Sequence, residues 1–271
     1  MACYNCFQEK RIFSFFLICF LLPGLALAAP LFSEAIASYT MENTTGAILR
    51  DSSANHYDSV NGLGGTSVVS SIYGNALQFD GSDIVSLGTK PDFMKTTAFT
   101  IEASFRIDGY TTGDWVRVVG NGNASTRNYG LWYHSDGSIL FQITNSSGTW
   151  HHPITYITIE TNRWYHMAGV FTGTQMFLYL DGSQVDQVNF VGTPYTNSND
   201  ALTIGAAPGY HTAHIGLIDN VALFNTALTQ QDIQRHSQGL DITSIPEPAS
   251  ILTFFIVMVM FYMHCVKKQR Q

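Results

Sequence analysis

Apolar and polar residues alternate along several segments in the middle of the chain. In FTIEASFRI, residues 99–107, every second residue is apolar, and SILFQIT, residues 138–144, repeats the pattern. A period of two predicts β-strands with one face in the core and the other in water. Long amphipathic helix patterns are missing from this part of the sequence, which favours an all-β domain.

Turn signals separate the alternating runs. Asp181-Gly182 divides MFLYLDGSQVDQV into two such runs, and because both residues tolerate a positive φ the pair predicts a hairpin. HSDGS, residues 134–138, predicts a second turn. In TQQDIQRHS, Thr229 can accept from the early backbone amides and Asp232 complements the positive helix end. We therefore predict one short helix after the last strand.

The last part of the chain has an unbroken apolar pattern. Residues 249–266 carry no formal charge, and eighteen helical residues span about 27 Å, enough for the hydrocarbon core of a bilayer. Basic residues follow at 267–271 and favour the cytoplasmic side. We predict a transmembrane helix at 249–266 with a cytoplasmic tip, and a buried C-terminal helix is the alternative.

The N-terminal segment has the three parts of a secretory signal. A basic pair at residues 10–11 precedes the apolar run 12–22, and a small-residue site follows that ends at Ala28. This order predicts a signal helix at residues 1–28. An uncleaved N-terminal anchor is the alternative.

Composition limits what the region between these ends can bind. The four cysteines, at positions 3, 6, 19 and 265, all lie outside residues 29–240, so we expect this region to fold without disulfides. The chain has 20 acidic and 13 basic residues, a net charge of −7. Phosphate binding needs clustered Lys and Arg, so nucleic acid is not an expected partner, whereas a divalent cation is compatible with this charge.

Six segments of this region occur in a characteristic order. They are GNALQFDGSD (74–83), FTIEASFRI (99–107), RWYHMAGVF (163–171), LYLDGSQV (178–185), LTIG (202–205) and GLIDNVALFNTALTQQDI (216–233). Together they resemble the LamG-like jelly rolls of the concanavalin A-like lectin and glucanase superfamily. The resemblance implies that residues 29–240 form an all-β, two-sheet antiparallel jelly-roll sandwich.

A second resemblance lies in the linker at residues 241–248. Pro246, Glu247 and Pro248 stand directly before the predicted span and basic tip. This order resembles a PEP-CTERM sorting signal of Gram-negative bacteria that make extracellular polysaccharide. The resemblance implies recognition by an exosortase, transient anchoring in the inner membrane, and export to the cell envelope, cell surface or extracellular matrix.

The family resemblance also implies a calcium site. In this family a polar loop near the start of the domain often joins a late aspartate to hold calcium, a cation that takes six to eight oxygens. Here the implied ligands are Asp51, Asn55, Asp58 and Asp219. Ala54 and His56 depart from the usual loop pattern. The alternative is that Asp51 caps a turn through its own backbone.

Aromatic residues near the predicted loops are candidates for stacking on sugars. We predict a ligand-binding cluster of Trp115, Tyr129, Trp132 and Trp150, with Tyr133, Tyr195 and Tyr210 as further ring candidates. The alternative is that each ring fills the core.

Catalysis is not expected. Retaining glycoside hydrolysis needs two carboxyls about 5 Å apart, and Glu102 has no acidic neighbour on its strand. We therefore expect a non-enzymatic protein whose ligand is a polysaccharide or a surface protein. A matrix spacer without a specific ligand and an enzyme with an unfamiliar site are the alternatives.

Overall fold

The computed structural model describes residues 35–110 and 113–239. Neither range contains a helix with the length and apolar character that a membrane crossing requires. The predicted signal at 1–28, linker at 241–248, span at 249–266 and tip at 267–271 lie outside the described residues and remain predictions.

The described residues form seventeen strands, one 3₁₀ turn and one α-helix. The strands are β1 (Ala35–Tyr39), β2 (Thr44–Thr45), β3 (Ile48–Leu49), β4 (Ser67–Ser71), β5 (Gly74–Asp80), β6 (Val85–Ser86), β7 (Phe99–Ile107), β8 (Trp115–Asn121), β9 (Tyr129–His134), β10 (Ser138–Thr144), β11 (Trp150–His151), β12 (Ile154–Tyr156), β13 (Trp164–Phe171), β14 (Gln175–Leu180), β15 (Ser183–Asn189), β16 (Leu202–Ile204) and β17 (Ile215–Phe224). The 3₁₀ turn is Pro91–Phe93, and the helix α1 is Gln230–Ser237.

Most of these strands form two antiparallel sheets. The eight-stranded sheet has the order β15-β14-β13-β7-β17-β5-β4, with β1 also paired to β17. The seven-stranded sheet has the order β11-β10-β9-β8-β16-β6, with β12 also paired to β10. The short strands β2 and β3 pair separately. The all-β, two-sheet antiparallel jelly roll expected from the sequence is confirmed.

A large aromatic core lies between the sheets. Phe105 of the eight-stranded sheet stacks on Tyr133 of the seven-stranded sheet, with 5.9 Å between ring centroids. Phe99 contacts Phe141 edge to face at 5.9 Å. A Cβ at Gly169 would lie 2.4 Å from the Phe141 ring, so glycine is required where that ring crosses β13. Buried rings of this size dominate the stability of such a core.

The outer face of β7 differs from the sequence expectation. Thr100, Glu102 and Ser104 were expected in water, but all three are buried. Their face is covered because α1 packs there and places Ile233 in a second apolar cluster. Alternation therefore predicted the strand and its inward residues correctly, while the prediction of a solvated face was wrong.

Local turn and cap predictions are confirmed. Asp181 and Gly182 have φ values of 47° and 78° and join β14 to β15. The second predicted turn joins β9 to β10 with Gly137 at φ 95°. Thr229 and Asp232 form a reciprocal capping box at the start of α1.

Candidate functional site

The outer face of the seven-stranded sheet has its own apolar floor. Along β9, Leu131 and Tyr133 point into the core, so Trp132 between them points outward. Trp132 pairs with Arg117 on β8 on one side and with Leu140 on β10 on the other. These neighbours cover Trp132 so well that only 2% of it is exposed.

A groove of about 180 Å³ lies over this floor. Its lining includes Trp115, Arg127, Trp132, Gln142, Trp150 and His152. Trp150 forms an open wall, with 49% of the residue exposed. The part of the lining that the structure describes contains no Asp or Glu. The groove therefore combines flat apolar surfaces with hydrogen-bonding groups and one cation.

Arg127 lies inside a cage of aromatic rings. Its guanidinium carbon is 4.5 Å from the ring centroid of Trp150, 5.0 Å from that of Tyr210 and 5.8 Å from that of Trp132. Nε donates to the Ala124 carbonyl at 3.1 Å, and Nη2 donates to the Tyr210 hydroxyl at 3.3 Å. Because ring faces attract cations, the cage stabilises this orientation of the guanidinium.

The backbone of Arg127 is held in an unfavourable conformation. Its φ is 40°, in the left-handed region that a long side chain rarely adopts. The Arg127 amide donates to the Asn123 carbonyl at 3.1 Å, and Thr144 Oγ1 donates to the Arg127 carbonyl at 2.6 Å. Such conformations persist where surrounding contacts fix them, and they concentrate at functional sites.

A second arginine lies beneath the floor. Arg117 is fully buried, with its guanidinium carbon 4.6 Å from the Trp132 ring centroid. Nη1 donates to the Gly122 carbonyl at 2.6 Å, whereas Nε and Nη2 have no hydrogen-bond partner among the described residues. Burial, followed by repulsion from Arg127, lowers the pKa of Arg117 to about 9. The group therefore stays charged at neutral pH.

Two glycines leave space for the buried groups. A Cβ at Gly120 would lie 3.2 Å from Arg117 Nε, and a Cβ at Gly130 would lie 3.2 Å from Trp132 Nε1. Their backbones already lie close to each other across β8 and β9. Glycine at these positions allows an arginine and a tryptophan to lie flat on the same sheet face.

The structure brings three of the four predicted ligand-binding residues together. Trp115, Trp132 and Trp150 line one groove, although their binding role stays a prediction. Tyr129 lies elsewhere: it is 3% exposed, and its hydroxyl donates to the Phe93 carbonyl in the core at 2.9 Å. The physical reason is strand parity, since Tyr129 is three residues from Trp132 and so points to the opposite face.

Neither arginine of this site was predicted from the sequence. Arg127 is the sole charged residue of GNGNASTRNYG, residues 120–130, and lies six residues after the end of the valine-rich strand β8. That isolation was an available signal for Arg127. Arg117 could have been found as a charged residue within the otherwise apolar run WVRVV.

Two of the residues expected to bind calcium, Asp51 and Asp58, make other contacts in the structure. The Asp51 carboxylate accepts from the amides of Ser38, Ser53 and Tyr57, each at 2.8 Å. The Asp58 carboxylate pairs with the Arg50 guanidinium and also accepts from the Asp51 amide. The bond from the Ser53 amide is the turn cap that was the alternative for Asp51.

The other two expected ligands do not complete a calcium site. The Asn55 side chain donates to the Ile36 carbonyl at 2.9 Å. Asp219 is fully buried in β17 and accepts from the Asn220 amide at 2.7 Å. Among residues 35–110 and 113–239, no three His, Cys, Asp or Glu are grouped to hold a metal ion. Calcium therefore stays a prediction that these contacts do not support.

A larger cavity lies on the outer face of the eight-stranded sheet. It measures about 550 Å³, and its lining includes Glu42, Tyr73, Glu102, His166, Asn220 and His236. Here β17 carries a bulge after Asp219, with Asn220 at φ 48°. Burial raises the pKa of Asp219 to about 8, and nearby Glu42 adds to the effect.

The buried carboxylate of this cavity contacts two histidines. His236 Nδ1 lies 2.7 Å from Glu102 Oε1, and His166 Nε2 lies 3.6 Å from Glu102 Oε2. Burial alone raises the pKa of Glu102, but contacts with His166 and His236 outweigh it and lower the pKa to about 2. Glu102, which lacks an acidic neighbour in the sequence, therefore has its partners on β13 and α1.

Fold and groove together define a lectin-like jelly-roll domain. A laminin-G type family model, described as concanavalin A-like lectin/glucanases superfamily, matches residues 79–234. This match covers more than half of the chain, so the chain belongs to that family. The resemblance inferred from the six sequence segments is confirmed.

Solved structures share the fold. Domain 4 of AbnA, an extracellular arabinanase from Geobacillus stearothermophilus in complex with arabinotriose, has a TM-score of 0.61 and 19% identity, with 76% of this chain and 99% of that domain covered. The binding domain of the Paraclostridial mosquitocidal protein 1 has a TM-score of 0.61 and 14% identity, with 75% and 52% covered. The binding domain of botulinum neurotoxin serotype G has a TM-score of 0.59 and 14% identity, with 75% and 50% covered.

These similarities show the fold alone. The chain spans about half of the length of the two toxin binding domains. Among curated proteins, none matches the chain by sequence.

Proposed function

We propose that this domain binds polysaccharide in the groove on the outer face of the seven-stranded sheet. The observation that carries the proposal is the convergence of Trp115, Trp132 and Trp150 on one groove, with Trp150 half exposed. Sugar rings present apolar C–H faces that stack on such side chains. Gln142 and His152 supply polar groups that fix the orientation of a ligand.

Binding without catalysis is part of the proposal. The described groove lining offers no carboxylate for acid–base chemistry. Glu102 lies on the other sheet, is 3% exposed and contacts His166 and His236. A similar fold in the arabinanase domain solved with arabinotriose supports a sugar as the ligand class.

We further propose that the protein works outside the cytoplasm. The secretory pattern at residues 1–28 and the sorting pattern at 246–271 support export, processing by an exosortase and a place at the cell surface or in the extracellular matrix. The test is to fractionate the producing cells and determine the mass of the mature protein. An intact chain recovered from the cytosol would contradict this part of the proposal.

The binding proposal is tested with the full-length protein on an immobilised panel of neutral and acidic glycans, with and without calcium. Trp150→Ala is expected to weaken binding about tenfold, because a stacked ring contributes on the order of 1 kcal/mol. Tyr73→Ala is the matched control, since this ring lies on the outer face of the other sheet. If the protein retains no glycan, or if both variants lose the same affinity for glycan, the proposal is overturned. Either result would favour the alternative of a matrix spacer without a specific ligand.

A further inference from the structure

We propose that the groove selects acidic polysaccharide, with Arg127 binding the carboxylate of a uronic acid residue. This inference rests on the polysaccharide-binding function proposed above and adds the class of sugar. It is based on the charge of the groove, the fixed position of Arg127 and the second cation beneath the floor.

The charge of the groove is opposite to that of the chain. The whole chain has a net charge of −7, yet Arg127 is the charged residue of the described groove lining. Partial burial, followed by repulsion from His151, lowers the pKa of His152, so this neighbour is neutral at pH 7. A cation that faces a groove without acids favours an anionic group in the ligand.

Arg127 is preorganised for such a group. The three rings and the bonds from Nε and Nη2 fix the plane of the guanidinium, while Nη1 makes no hydrogen bond to the described residues. A planar guanidinium with free N–H groups can bind a carboxylate through two parallel hydrogen bonds. Because the strained backbone at φ 40° already places the side chain, little conformational entropy is lost on binding.

Nearby acids do not neutralise Arg127. Asp114 lies behind Tyr210, whose hydroxyl donates to Asp114 Oδ1 at 3.2 Å. Asp200 acts on Arg117, and its carboxylate accepts from the side chains of Asn123 and Asn128. The Tyr210 hydroxyl thus bridges Arg127 and Asp114, and no carboxylate among the described residues forms a direct ion pair with Arg127.

Arg117 strengthens the positive potential from below. Both guanidinium groups contact the Trp132 ring, whose centroid is 4.6 Å from the guanidinium carbon of Arg117 and 5.8 Å from that of Arg127. The two charges repel each other, and the hydrogen bonds of Arg117 go to neutral oxygens. A ligand carboxylate at Arg127 would relieve this repulsion, which a neutral sugar cannot do.

The experiment compares one polymer in two charge states. Full-length protein is titrated with polygalacturonate and with its methyl ester, which has the same backbone but blocked carboxylates. We expect at least tenfold tighter binding of the acid form, and we expect added salt to weaken binding of the acid form alone.

Variants test the assignment to Arg127. Arg127→Gln should remove the preference for the acid form, and Arg127→Lys should keep part of it because a point charge replaces the planar fork. Arg163→Gln is the matched control, since Arg163 is exposed, directly precedes β13 of the eight-stranded sheet and pairs with Asp181. Thermal melting confirms that each variant is folded.

Each result decides the matter. Equal binding of the acid and the ester, or an acid preference that survives Arg127→Gln, overturns the inference. In that case Trp150-dependent binding of neutral glycans leaves the proposed function standing. Binding of neither polymer and of no panel glycan overturns both.

Discussion

The outer faces of the two sheets both contain buried charged groups, but these groups have different kinds of partners on the two faces. On the eight-stranded sheet, Glu102 is matched by His166 and His236, and the three side chains are nearly inaccessible. On the seven-stranded sheet, Arg117 and Arg127 contact rings, carbonyls and hydroxyls rather than acids. A charged group whose partners are buried with it serves stability, whereas a charged group without an acidic partner beside an open groove is available to a ligand.

The covering of each face explains this difference. The helix α1 lies over the eight-stranded sheet and buries Ile233 against Ala168, Ala222 and Phe224. The seven-stranded sheet is covered by individual rings and by the loop at 122–128, which leave the groove open. Substitutions on the outer face of the eight-stranded sheet should therefore mainly change the free energy of unfolding. Substitutions on the outer face of the seven-stranded sheet should mainly change the affinity for the ligand.

The largest expected effect is that of Glu102→Ala. It leaves His166 and His236 buried without their carboxylate, and breaking a buried pair costs about 3–5 kcal/mol of unfolding free energy. Urea unfolding at pH 7 measures the loss, and the affinity of the folded protein for glycans should be unchanged. Glu102→Gln keeps the shape and an acceptor, so it should lose less. A loss below about 1 kcal/mol would contradict the role given to this pair.

Asp219→Asn should change the pH dependence of stability. With a folded pKa of about 8 against an ordinary 3.8, the folded state keeps a proton that the unfolded state has released. The contribution of Asp219 to wild-type stability should therefore be greatest below about pH 4 and decline as the pH rises to 8. The asparagine variant removes this decline and should be more stable at pH 8 by roughly 2 kcal/mol or more.

Unfolding curves at pH 4 and pH 8 decide this prediction. The amide oxygen of asparagine can still accept from the Asn220 amide, so the two proteins should be alike at pH 4. Parallel pH profiles for wild type and variant would show that Asp219 does not hold its proton.

Thr229→Ala should have a moderate effect. The Thr229 side chain accepts from the Asp232 amide at 3.2 Å, and removal of such a cap costs about 1 kcal/mol. Thr229→Ser, which keeps the hydroxyl, is the control and should retain most of the stability. If both variants lost equally in thermal unfolding, the cap would not be what anchors α1.

Trp150→Ala should have the smallest effect on stability. Half of the residue is exposed and β11 pairs with β10 at only two positions, so the unfolding free energy should change by less than about 1 kcal/mol. The same variant is expected to lose glycan affinity, which separates binding from folding on this face. A loss above about 2 kcal/mol would place Trp150 among the structural residues.

Local signals were sufficient for part of this structure. The Asp181-Gly182 turn and the Thr229 cap depend on residues within one turn of each other, so the printed sequence contains all their partners. Strand periodicity likewise predicted the strands and an all-β domain, because the inward residues repeat at every second position, whereas the two-sheet jelly roll was implied by the family resemblance.

Long-range contacts account for what the sequence did not predict. Glu102 contacts His236, which lies 134 residues further along the chain, and no residue near Glu102 in the sequence predicts that contact. Asp219 was grouped with the 51–58 loop, but it lies inside the eight-stranded sheet. For Tyr129 the information was present, since its parity with Leu131 and Tyr133 already assigned it to the core.

The position of α1 has a mechanical consequence. Gly239 is the last described residue, it directly follows this helix, and the chain continues for a further 32 residues to Gln271. Tension applied to that tail would enter the sandwich through the helix, whose His236 bonds to Glu102 at the centre of a sheet. This contact and the packing of Ile233 would together set the force at which the helix first separates from the sheet.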